Sequence, residues 1–159
     1  MIVIYHDVGG AHSSAIAANI HINSLPYDKV PDKSEILNLP TFDKIEKRDH
    51  GHLLYMGVDE FGCSVYTLSR QYQEKLVIHA ITDMYKALNR DTNYLYIVST
   101  SPTVNTWMKI GGFSSRRLHW VKFGRPIVTY GTLKAYPQIV ELVKDVKNKI
   151  GEDLKRQFK

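Results

Sequence analysis

Apolar and polar positions along this chain fall into short blocks of differing period. Val3, Ile4 and Tyr5 stand in a continuous apolar run of β-formers, the pattern of a parallel strand buried on both faces. The small-residue stretch Val8-Gly-Gly-Ala-His-Ser-Ser14 follows, and Ala15 to Leu25 then reads as an amphipathic helix that Ser13 or Ser14 could cap. Pro26 to Pro40 reads as a connection holding a short helix near 34–39, capped by Asp32 or Ser34, and 41–51 as a polar, solvent-facing segment. Two β-rich runs, 53–58 and 63–68, flank Asp59-Glu-Phe-Gly62 and predict an antiparallel hairpin at one side of a sheet. From Gln73 to Leu88 the residues Leu76, Val77, Ala80, Ile81, Met84 and Leu88 make a helical stripe.

Tyr94 to Ser99 is the next apolar strand. Ser101 then caps a helix with Pro102 in its first turn, running through Val104, Trp107 and Met108 until Gly111-Gly112 weakens it. A short helical piece, 113–118, would be capped by Ser114. Pro126-Ile-Val-Thr-Tyr130 predicts a third core strand, and Gly131-Thr132 turns it into a last helix with the stripe Ile139, Val143, Val146 and Ile150. The order β-α-ββ-α-β-α-β-α predicts a single α/β domain over residues 1–159. It is three-layered, with a mostly parallel sheet and an added β-hairpin, and is P-loop-like or Rossmann-like. The first, fourth and fifth strands would be its parallel members.

Composition narrows the classes. The 159 residues are 43% hydrophobic and 23% charged, an ordinary globular balance. No apolar run approaches the ~20 residues of a membrane span, so a membrane is not expected as a partner. The N-terminus carries no signal-peptide pattern, and the single cysteine, Cys63, allows neither an intramolecular disulfide nor a cysteine-based metal site. Cytoplasm is the expected compartment. The net charge of +5 is concentrated toward the C-terminus, at Lys144, Lys147, Lys149, Lys155, Arg156 and Lys159. A solvated helix face whose cations suit the helix dipole explains that cluster better than nucleic-acid contact, which lacks a recognition motif there.

Ligands of parallel α/β sheets bind outside the carboxyl ends of the strands. Three segments qualify: His6 to Ser14, Thr100 to Asn105 with Ser101 and Asn105, and Gly131 to Lys134 with Thr132. The first is the strongest, because a strand feeding a glycine loop into a helix N-terminus is a ready anion site. Its anion-binding candidates are Gly9, Gly10, Ala11, His12, Ser13 and Ser14. Against G-x-x-x-x-G-K-[ST] the loop has His6 at the first Gly, Ala11 at the second and His12 at the Lys, keeping Ser13 at the hydroxyl position. Loss of the Lys argues against ordinary ATP or GTP hydrolysis. His12 could bind phosphate when protonated, move a proton, or become phosphorylated; a neutral imidazole packed near a helix start is the plainer alternative. Asp7 could orient it. Of Arg116 and Arg117, one at most would face a pocket, since i,i+1 neighbours diverge on a helix. His6, Asp7, His12, His50, His52 and Asp59 show no metal-ligand spacing, so no metal site is assigned.

Tyr5-His-Asp-Val-Gly-Gly-Ala-His-Ser-Ser14, Asp49-His-Gly51, Met56-Gly-Val-Asp-Glu-Phe-Gly62 with Val65-Tyr66, Ile110-Gly-Gly-Phe-Ser-Ser-Arg-Arg-Leu118, and Gly124-Arg-Pro-Ile-Val-Thr-Tyr-Gly-Thr132 with Ala135-Tyr136 resemble the bacterial family known as domain of unknown function 3189. The resemblance runs from Met1 to about Ile150. It implies a small cytoplasmic protein of spore-forming Gram-positive bacteria and brings no activity with it. The functional expectation is therefore a protein that binds a phosphorylated small molecule or nucleotide at the Gly9–Ser14 loop, with phosphoryl transfer or phosphoester hydrolysis as the fitting reaction. Magnesium would accompany a nucleotide; no other cofactor is indicated. The alternatives are a non-catalytic regulatory or interaction protein and a nucleic-acid-associated protein.

Overall fold

The computed structural model describes residues 1–118 and 120–157; His119, Phe158 and Lys159, the last of the basic C-terminal cluster, lie outside the described residues. The apolar run near the N-terminus forms strand β1 (Ile2–Asp7), followed by helix α1 (Ser13–His21) and the short helix α2 (Lys33–Asn38). Asp32 starts α2 with a capping box to Glu35. Strands β2 (Leu53–Val58) and β3 (Ser64–Ser69) form the hairpin. Helix α3 (Glu74–Ala87), strand β4 (Leu95–Ser99), helix α4 (Thr106–Gly112), a π-helical turn (Phe113–Arg117) and the 37-residue helix α5 (Val121–Gln157) complete the chain.

The four strands make one mixed sheet in the order β2-β3-β1-β4. Strand β1 pairs in parallel with β3 on one side and β4 on the other, while β2 runs antiparallel to β3 at the edge. The hairpin is thus more than an addition, because β3 is a direct parallel neighbour of β1. Val3 and Tyr5 of β1 join α1, α2 and α5 in one apolar core, whose fully buried members include Ile16, Ile20, Ile139, Val143 and Ile150. Ile4 and His6, on the other face of β1, are also buried. The right-handed rule for β3-α3-β4 puts α3 over that face. In α3 the inward residues are Val77, Ile78, Ile81 and Tyr85, all half-buried, whereas the predicted stripe members Leu76, Met84 and Leu88 are exposed.

Several expectations are corrected. Pro126 to Tyr130 is helix, part of α5, so the third core strand and the strand-end loop at Gly131 do not exist. Val128, Thr129 and Thr132 are fully buried. Packing overrides the strand preference of this β-branched run, because Gly111, Gly124 and Gly131 let α4 and α5 lie backbone to backbone. A Cβ on Gly111 would sit 2.3 Å from the Val128 amide nitrogen, and one on Gly124 2.3 Å from that of Ser115. Helix α4 is capped by Asn105, whose Oδ1 accepts from the Met108 amide, and not by Ser101, which lies in a separate 3-10 turn with Pro102. Ser114 caps nothing: its hydroxyl donates to the Ile110 carbonyl. The polar segment 41–51 is only partly solvent-facing, since Phe42, Asp43 and Ile45 are buried.

Candidate functional site

The loop after β1 is shaped by one carboxylate. Asp7 ends the strand, and its Oδ1 accepts from the Gly10 amide at 2.5 Å while its Oδ2 accepts from the Ser13 hydroxyl at 2.7 Å and the Ser14 amide at 3.1 Å. Burial alone would raise the Asp7 pKa; these hydrogen bonds outweigh it and hold the carboxyl below its ordinary range. Ser13 therefore serves Asp7 and not the helix end, and His12, which precedes α1, makes no side-chain cap to it. Thr100, at the end of β4, places Oγ1 2.9 Å from the Ser13 hydroxyl, which brings the two strand ends together.

Gly10 must be glycine here. Its φ is +70° and a Cβ would meet the Ser69 Cβ at 2.8 Å, so the left-handed turn and the close passage of β3 both require it. That turn leaves the amides of Gly9, Ala11, His12 and Ser13 with no acceptor among the described residues. With the positive end of the α1 dipole, these N–H groups make the loop locally electropositive.

Above the loop sits a second buried carboxylate, Asp43, that the sequence reading missed. His12 Nε2 lies 3.1 Å from Asp43 Oδ1, and Oδ2 accepts from the Ser115 hydroxyl at 2.7 Å and Arg125 Nε at 2.9 Å. Arg116 donates to the backbone carbonyls of Asp43 and Ile45. Burial would raise the Asp43 pKa, but the hydrogen bonds from His12, Arg125 and Ser115 pull it down to about 2. Asp43 is held ionised and fixes the imidazole plane of His12, which also packs edge-on against Phe42. The far side of that ring meets α4, since a Cβ on Gly112 would come within 3.0 Å of His12 Cε1.

The structure thus gathers Asp7, Gly9, Gly10, Ala11, His12, Ser13, Ser14 and Arg116 at one place, with Thr100, Asp43, Ser115 and Arg125 added. It does not bring the other candidates there. Ser101 accepts from Arg70, whose Nε donates to His6 Nδ1; Asn105 binds the Gly131 carbonyl; Thr132 is buried mid-helix. Arg117 is exposed beside Arg116. His6 is buried, with its pKa lowered first by burial and then by Arg70. At the opposite end of α1, the Tyr5 hydroxyl lies 2.7 Å from His21 Nδ1, whose Nε2 lies 2.8 Å from Asp59. Asp59 also accepts from the Phe61 and Cys63 amides, so it holds the hairpin turn. Among the described residues, no three His, Cys, Asp or Glu side chains converge in a way that could hold a metal ion. No helix among the described residues is long and apolar enough to cross a membrane.

No curated protein and no solved structure matches the chain. The family described as "Protein of unknown function (DUF3189)" matches residues 2–148, a span that holds the loop, the hairpin, α4 and most of α5, so the chain belongs to the DUF3189 family.

Proposed function

We propose that this protein binds a phosphorylated small molecule or nucleotide on the Gly9–Ser14 loop, in a P-loop-like manner. The observation that carries the reading is the set of four amides, Gly9, Ala11, His12 and Ser13, without acceptors at the start of α1. Their position supports it too: the loop leaves the carboxyl end of β1, which lies between its two parallel partners in the sheet, where α/β proteins take ligands. His12 stands where a nucleotide loop has lysine. Asp43 orients it as a charge carrier or proton donor for phosphoryl transfer or phosphoester hydrolysis.

Asp7 sets a condition on the ligand. Two unit charges about 4 Å apart repel by about 4 kcal/mol at an effective dielectric of 20, so a bare phosphate beside Asp7 is disfavoured. Magnesium would offset that repulsion through oxygens of the kind carried by Asp7, Ser13 and Thr100, which here bond to one another and to the Gly10 and Ser14 amides. A second reading, an effector-binding module without turnover, is favoured by the engagement of Arg116 and Arg125 with Asp43 and Ile45, which draws both guanidinium groups away from an incoming phosphate.

A thermal-shift screen of wild type and His12→Ala against phosphate, sulfate, nucleotides and sugar phosphates, with and without magnesium, tests the proposal. A ligand at 100 times its Kd stabilises by about 2.7 kcal/mol, a rise of several degrees for a domain of this size. The expected result is a rise with one phosphorylated class, larger with magnesium and reduced in the variant. Turnover in wild type that the folded variant loses marks an enzyme; a shift without turnover in wild type marks the effector module. A flat response to every ligand contradicts both.

A further inference from the structure

We propose that the outer face of the α4–α5 helix pair docks on an anionic lipid surface. Between Asp91 and Glu141 the chain carries no carboxylate side chain, yet it contains Lys109, Arg116, Arg117, Lys122, Arg125 and Lys134. Arg116 and Arg125 turn inward to Asp43, whereas Lys109, Arg117, Lys122 and Lys134 are exposed. The same stretch exposes Trp107, Ile110, Phe113, Trp120, Phe123 and Tyr130, including both tryptophans of the protein.

These side chains share a face. On α4, Trp107 and Ile110 lead into Phe113 at i, i+3 and i+6, and on α5 Phe123, Ile127, Tyr130 and Lys134 follow at i, i+4, i+7 and i+11. The two stripes are joined where the Trp107 and Tyr130 rings meet edge-to-face at 5.7 Å, and the Lys134 ammonium sits 5.1 Å from the Tyr130 ring centre. The glycine seam behind them keeps the two backbones close, so the pair presents one broad apolar surface and not a single ridge.

Charge complementarity names the partner. Aromatic and aliphatic residues interspersed with cations, in a stretch of chain without a carboxylate, are the composition of a helix that lies in a membrane interface. Single-stranded nucleic acid would use the cations and aromatic rings, but it has no use for the exposed aliphatic Ile110 and Leu118. The lack of a spanning run, from which no membrane partner was expected, bears on crossing a bilayer and not on lying upon it. The surface stands independently of ligand binding at the loop, although the inner side of the same helices touches His12 and Asp43.

Trp107 lies in the proposed contact and Trp120 is exposed three residues before Phe123, so tryptophan emission reports docking directly. The full-length protein is mixed with vesicles of phosphatidylcholine alone or of phosphatidylcholine with phosphatidylglycerol, and followed by tryptophan emission and co-sedimentation. A blue shift and sedimentation are expected with the anionic vesicles only. The double variant Lys109→Glu/Lys122→Glu should weaken binding by well over tenfold, since each cation near such a surface is worth on the order of fivefold. Phe113→Ser/Phe123→Ser, at positions that are more than half exposed, should abolish the blue shift with unchanged circular dichroism. No binding to anionic vesicles overturns the proposal, as does binding that neither variant weakens. Tight binding of single-stranded RNA that is lost in the charge variant, with vesicles ignored, overturns it in favour of nucleic acid.

Discussion

Asp43 is the residue on which the site's geometry turns. It is fully buried, it has a left-handed φ of +52°, and it holds His12, Ser115 and Arg125 at once. Its folded pKa, about 2, lies below the 3.8 of the free side chain. The stability this gives is therefore complete above about pH 4 and disappears as pH falls through about 2, and it amounts to about 2 kcal/mol. Asp43→Asn keeps the left-handed backbone, which asparagine tolerates, while removing the charge. Urea unfolding should show the variant about 2 kcal/mol less stable at pH 7, with a flatter loss of stability between pH 4 and 2 than wild type. Equal acid limbs would mean the Asp43 charge contributes nothing. From sequence alone Asp43 was one of six charged residues in a polar segment. Its partners are Ser115 and Arg125, which no local pattern joins to it, so its burial could not be read in advance. Asp7 and the Gly9–Ser14 loop were legible, because strand end, glycines and helix start are adjacent in the chain.

At the scale of elements, the α4–α5 contact decides how the upper layer closes over the loop. A methyl group on Gly111 would enter the Val128 backbone, whereas a Cβ on Gly151, far along the same α5, meets nothing within 4 Å. The two substitutions should act in opposite directions. Gly111→Ala should destabilise by about 1 to 3 kcal/mol through overpacking, and Gly151→Ala should stabilise by up to about 1 kcal/mol through helix propensity. Chemical denaturation of the pair checks this, and a neutral Gly111→Ala would show that the helices are not in backbone contact. The same contact explains the main error in reading the fold. Pro126-Ile-Val-Thr-Tyr130 carries strand-forming residues, but Gly124, Val128, Gly131 and Ala135 continue the helical spacing of Ile139, Val143, Val146 and Ile150. That longer period was present in the sequence. It was masked by two prolines inside the helix and by glycines whose packing role depends on a second helix.

For the whole molecule, two buried imidazoles set the response to mild acid. His6 and His21 both have pKa values lowered by burial, in His6 reinforced by Arg70 and in His21 opposed by Asp59. In the unfolded chain they take up protons near pH 6.5, while in the folded protein they remain neutral to lower pH. Protons bound by the unfolded state alone favour it, so stability is full above about pH 7 and declines as pH falls below 6.5. The urea midpoint should be lower at pH 5 than at pH 7, and a midpoint that rises on acidification would contradict neutral burial of these side chains. The architecture itself followed from the β1, β2–β3 and β4 patterns, which specified an α/β sheet with a hairpin. What they could not specify was that β3 sits directly beside β1, because strand order depends on contacts between distant segments.

In the proposed binding mode the four free amides of the loop receive a phosphate group. Its most direct test is an amide-resolved NMR titration of the labelled protein with magnesium and the phosphorylated ligand class that raises its melting temperature most. The Gly9, Ala11, His12 and Ser13 resonances are expected to shift downfield together and saturate with one Kd, with smaller changes at Asp43 and Gly112. Shifts confined to other surfaces, or none at these four amides at saturating ligand, would contradict it.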